Sequence, residues 1–152
     1  MKLAEALLLR ADIQKKIASL RDRIVANAVV QEGDEPHEKP AELMKQALGA
    51  LGELEALVTK INRANLKTKL KDGRTLTEAI AHRDTLVAQH ALYVAAIAGS
   101  KKEPDRYSAR EIKWVATLEV AKLQKQVDDL AKKLRELNAE IQKANWSADL
   151  GG

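Results

Sequence analysis

The residues best suited to chemistry in this sequence are His82, Arg83, Asp84 and His90. Arg83 and His90 are seven positions apart, two turns of a helix, so both fall on one face. An imidazole there could accept or donate a proton in a reaction, and a guanidinium can hold a carboxylate or phosphate. The plainer reading is a polar layer that fixes helix register within an apolar seam. No nucleophile with an attendant base accompanies the pair. No catalytic residue is therefore assigned, and an enzyme built on Arg83 and His90 stands as the second alternative function.

A second group is basic. Lys67, Lys69 and Lys71 alternate with Leu66, Thr68 and Leu70, a period of two, and Asp72-Gly73 follows as a hairpin signal. The leucines of such a strand seek the core, which sends the three lysines to solvent together. Arg74 stands just before Thr75, which reads as the N-cap of a helix with Glu78 completing a capping box. Free backbone N–H groups at that helix start favour an anion. Arg106, Arg110 and Lys113 join the set if 112–117 adds a third short strand. The chemistry is an anion site for phosphate, nucleic acid or an acidic partner, although no aromatic ladder accompanies it for stacking bases. The plainer reading is a solubilising charge run.

Other candidates carry less. Glu32, Asp34, Glu35 and Glu38 offer oxygens to a hard cation but lack calcium-loop spacing, so a solvated loop is the expectation. His37 and His82 have no ligand-spaced partner, and the chain has no cysteine, so no metal site is expected. Ser19, Ser100, Ser108 and Ser147 occupy no nucleophile elbow, and neither a phosphate loop nor a dinucleotide fingerprint is present. No cofactor is expected.

Four helices would position these groups. The last is the clearest: Val120, Leu123, Val127, Leu130, Leu134, Leu137, Ile141 and Ala144 repeat at alternating spacings of three and four, a coiled-coil stripe. The first spans 3–30 on Ala6, Leu9, Ile13, Ile17, Leu20 and Ile24, with Gly33 and Pro36 ending it. The second spans 40–64 on Met44, Leu48, Leu51, Leu54, Val58 and Ile61. Gly49 and Gly52 inside it suggest close approach of another helix. The third spans 76–98 on Leu76, Ile80, Arg83, Val87, His90, Val94 and Ile97. Thr117 is placed as the cap of the fourth helix, Trp146 as a plug at a bundle end or oligomer interface, and the tail 147–152 as frayed.

With 152 residues and scarce aromatics, the expectation is a single all-α domain over 1–152. It is a long antiparallel bundle, or coiled coil, of four helices with a small β-hairpin at 66–76. The net charge of +4 resides in the connectors 66–76 and 99–118, and the longest helices are neutral. No apolar run approaches a membrane span. The first helix mixes Asp12 and Asp22 with Lys15, Lys16, Arg21 and Arg23, which suits a bundle surface better than a membrane surface. The absence of cysteine and of a signal-peptide pattern fits the cytoplasm.

The stretches Gln31-Glu-Gly-Asp-Glu-Pro36, Asp72-Gly-Arg-Thr-Leu-Thr-Glu78, Leu123-Gln-Lys-Gln-Val-Asp128 and Gln142-Lys-Ala-Asn-Trp146 resemble the septicolysin-like family of small bacterial helical proteins. That resemblance covers nearly the whole chain. By its name it implies a membrane-active cytolysin. The residues themselves favour another function, a non-enzymatic homo-oligomer acting as scaffold or interaction protein, with an anionic partner at the basic connector. The first and fourth helices are expected to outreach the other two and leave their stripes for a second copy to cover.

Overall fold

The computed structural model describes residues 1–101 and 113–151. Four helices carry the fold: α1 (Leu3–Ala26), α2 (Pro40–Lys67), α3 (Leu76–Gly99) and α4 (Val120–Ser147). Among the described residues there is no β-strand, and the class is all-α. The chain divides into two compact units, one made of Met1–Leu76 with Gln142–Gly152, the other of Thr77–Ile141.

In the first unit α1 and α2 pack against each other. The end of α1 meets the start of α2, where Leu20 clusters with Leu43 and Ala47 and Ile24 packs alongside, so the two helices run antiparallel. Asn27 closes α1: its N–H reaches Arg23 O at 3.2 Å, and its side-chain Nδ2 donates to the same carbonyl at 2.9 Å. Asn27 Oδ1 then accepts from Glu38 N–H at 3.1 Å, and the Arg23 guanidinium grips the Glu38 carboxylate, which fixes the return of the chain. The helix thus ends at Ala26, earlier than its periodicity predicts. Gly33, with φ of +91°, belongs to the turn beyond it and not to the cap. Pro40 takes the first helical position of α2, where a missing N–H costs nothing.

The seam of α2 is shifted from the expected one. Leu43, Ala47, Ala50, Leu57, Ile61 and Ala64 are buried with Leu54 half-buried, an unbroken alternation of four and three. Met44, Leu48 and Leu51 instead lie on an exposed flank. Alanines in the seam let α1 approach closely, so small residues won the inner register and larger ones were left outside. Neither Gly49 nor Gly52 marks a close approach, since a Cβ at either would meet nothing within 4 Å. The lengths also correct an expectation. α1 has 24 residues and α2 has 28, so α1 does not outreach α2.

Residues 66–76 do not form the expected strands. α2 runs through Leu66 to Lys67, and among the described residues one isolated antiparallel bridge, Lys69 with Thr75, is the whole of the β pairing there. Leu70 N–H donates to Arg74 O at 2.8 Å and Leu76 N–H to Thr68 O at 2.9 Å. Gly73 sits at φ +87°, the left-handed conformation that its Asp-Gly position predicts. α2 extends its 3.6-residue period over residues whose alternation mimics a strand, and too few are left to pair.

The tail is pinned, not frayed. Lys2 and Asp149 form an antiparallel bridge, with Leu3 N–H to Ala148 O at 2.9 Å and Leu150 N–H to Met1 O at 3.0 Å. Leu3 and Ala6 are fully buried at this junction.

The second unit holds α3 and most of α4. On α4 the predicted stripe stands as read: every member from Val120 to Ala144 is buried or half-buried. Thr117 does not cap this helix, because the chain enters it at Glu119, whose carbonyl accepts from Leu123 N–H at 3.1 Å. On α3 the inner line is Leu76, Ala79, Arg83, Leu86, His90, Tyr93 and Ile97, while Val87 and Val94 are exposed. Residues 113–116 carry no regular structure. The rest of the expected third strand lies outside the described residues.

Candidate functional site

The basic connector begins in the last turn of α2. Lys67, Lys69 and Lys71 are exposed and Leu70 is buried, as the alternation requires. Leu66 departs from it and is 62 % exposed, because it lies on the helix. Arg74 is engaged within the turn: its Nε donates to Asp72 Oδ2 at 2.7 Å and its backbone N–H to Asp72 Oδ1 at 3.0 Å. These bonds hold the Asp72 carboxyl below the usual range for an aspartate. Thr75 directly precedes α3, as a cap should. Lys113 is exposed before α4. Arg106 and Arg110 lie outside the described residues. Among the described members of the predicted anion site, Lys67, Lys69, Lys71 and Lys113 are thus open to solvent, with Arg74 engaged by Asp72.

Arg83 and His90 share the inner face of α3 and are half-buried, while His82 is exposed. Arg83 Nε and Nη2 donate to Oδ1 of Asp84 at 3.0 and 2.8 Å. The guanidinium is neutralised by its sequence neighbour, and both side chains occupy positions of the seam, an arrangement that suits a register-setting layer. Among the described residues no three carboxylate or imidazole groups gather as a metal centre would require, and Glu38 of the acidic loop is taken by Arg23.

Two features of the first unit were not expected from sequence. One is a groove of about 570 Å³ along the α1–α2 pair. Leu9, Ile13, Ala56 and Leu57 give it an apolar floor, and Asp12, Lys16, Glu53 and Lys60 stand among its walls. Leu9 was assigned to the core stripe and instead opens onto this groove. The other feature is the exposed flank of α2, where Met44, Leu48 and Leu51 are 46, 61 and 46 % exposed. Their spacing is legible in the sequence, but the alanine line beside them has the same period. Trp146, read as a plug, is 57 % exposed on α4. Arg10 occupies a seam position of α1, and its Nε is buried without a hydrogen-bond partner among the described residues.

An all-α protein with four helices, none of which among the described residues is long and apolar enough to cross a membrane, is the class this geometry defines. Residues 10–150 match a family of unknown function, DUF6847, and the chain belongs to that family. A similar solved structure is the crystal structure of a functionally unknown conserved protein from Corynebacterium diphtheriae. The two are 38 % identical with a TM-score of 0.88, over 96 % of this chain and 95 % of that one. Comparison with curated proteins found no match. These findings overturn the septicolysin-like resemblance, and the cytolysin expectation falls with it. Two of the stretches that suggested it, Gln31-Glu-Gly-Asp-Glu-Pro36 and Asp72-Gly-Arg-Thr-Leu-Thr-Glu78, are turn and helix-start chemistry that unrelated helical proteins share, and the other two lie within α4.

Proposed function

We propose that this chain is a non-enzymatic helical interaction protein that works as a homo-oligomer, a role compatible with a cysteine-free cytoplasmic protein. The observation that supports it is the flank of α2. Three large apolar side chains at heptad spacing stand in water in the N-terminal half of a long helix, beside a seam that is already filled. Isolated apolar residues on a surface are ordinary, but a periodic cluster is the mark of a covered face. Size-exclusion chromatography with light scattering tests the reading. A mass above one chain supports it, and a single-chain mass at high protein concentration refutes it.

A second reading concerns the connector: an anionic partner bound by Lys67, Lys69 and Lys71. Their joint exposure around the buried Leu70 favours it. Fluorescent oligonucleotide and polyphosphate would be titrated between ~50 and 200 mM salt, where true phosphate contacts weaken steeply. Binding that persists unchanged in the triple alanine variant would remove the connector from consideration.

A further inference from the structure

The glycines of α2 are the starting point. Each is unfavourable against alanine inside a helix, because glycine loses more backbone freedom on folding. Close packing normally explains such residues, yet a Cβ at Gly49 or Gly52 would meet nothing within 4 Å. Inside one chain their cost has no return. At 100° per residue, Met44, Lys45, Leu48, Leu51, Gly52 and Glu55 fall within an arc of about 120°, the width of one helix interface. That arc contains the three exposed apolar side chains, one glycine gap and two opposite charges.

The arrangement is self-complementary. Leu48 and Gly52 are symmetric about position 50, and so are Lys45 and Glu55. A two-fold axis there brings a bulky side chain over a gap and a cation beside an anion, each twice. Within one chain Lys45 and Glu55 are about 15 Å apart along the helix axis and cannot meet. Both are exposed, with no ion-pair partner among the described residues. We infer that α2 pairs with α2 of a second copy, antiparallel about position 50, with Leu48 seated on Gly52 of the other copy and Lys45 beside Glu55. Leu51 then faces its own equivalent across the axis. Side chains of a helix lean toward its N-terminus, so the two Leu51 side chains converge. Interfaces of this kind are isologous and close at two copies. The inference rests on the proposed self-association and specifies its surface.

Charge reversal and cross-linking test it. Lys45→Glu and Glu55→Lys each place two like-charge contacts in the dimer and should weaken it by about tenfold. The double variant K45E/E55K should restore it. Gly52→Leu keeps a good helix former but fills the gap, so it should abolish the dimer while leaving thermal stability equal or higher. The chain has no cysteine, so Leu51→Cys introduces the only one. It should oxidise to a disulfide dimer, whereas Lys16→Cys on α1 should not. A wild-type monomer would overturn the pairing together with the oligomer reading. A dimer indifferent to all these variants, or one in which K45E/E55K fails to recover, would overturn the pairing alone.

Discussion

Lys2 Nζ lies 2.9 Å from Asp149 Oδ1 and so joins the residue before α1 to the residues that follow α4. The ion pair is exposed and screened, and the backbone bonds beside it hold the junction. Asp149→Asn is therefore expected to leave Tm nearly unchanged. Removal of residues 148–152 deletes the bonds to Ala148 and from Leu150 and uncovers Leu3. At about 1 kcal/mol for each bond, that truncation should lower Tm by roughly 4–8 °C. Differential scanning calorimetry of both variants checks this, and equal Tm values would show that the junction holds nothing.

Among the described residues Glu38, Asp72 and Asp149 are held below their ordinary range, each chiefly by a side-chain hydrogen bond, from Arg23, Arg74 and Lys2 respectively. A carboxyl depressed in the folded state adds stability above its unfolded pKa and loses it as pH falls through the folded value. Tm should be flat from neutrality down to about pH 5 and then decline below about pH 4. The variant E38Q/D72N should decline less steeply over that acid range. An identical slope for both proteins would exclude these pairs as the cause.

Glycine positions separate into two kinds. Gly49 and Gly52 are helical with open space at Cβ within one chain, so alanine at Gly49, or at Gly52 at concentrations where the chain is monomeric, should stabilise the fold by about 1 kcal/mol. Gly33 and Gly73 sit at φ +91° and +87°, so alanine at either should destabilise by about 1 kcal/mol. Urea denaturation midpoints of the four variants check both signs.

Much of the fold was legible because period carries it. The α4 stripe needed no revision, since its seam positions are nearly all large and apolar. α2 was misread because its large residues and its inner residues are different sets. Periodicity marks both flanks equally, and only the close approach of α1 selects the alanine line. The strand at 66–71 was misread because alternation over six residues also fits the last turn of a helix followed by a turn. The α1–α2 groove was not legible, since it depends on how two helices splay and not on any residue's type. Arg83 and His90 share one face of α3, as a spacing of seven in a helix requires. Their company on that face, Ala79, Leu86 and Tyr93, was one position away from the expected line.

Arg10 gives a stability test of its own. A buried donor without a partner costs about 1–3 kcal/mol, and Arg10 Nε is such a donor. Arg10→Met keeps the length of the side chain and removes that group. It should raise the urea midpoint by an amount equivalent to about 1 kcal/mol. A lowered midpoint would mean that the guanidinium has a stabilising partner in solution.

Self-association through α2 is tested most directly by sedimentation velocity of the wild-type chain beside Leu48→Lys at tens of micromolar. The wild type is predicted to shift from one chain to two as concentration rises. Leu48→Lys, which puts two charges into the pairing surface from a position already exposed in the single chain, should sediment as a monomer with unchanged helical circular dichroism. A wild type that remains monomeric, or a Leu48→Lys variant that dimerises as tightly as the wild type, would contradict it.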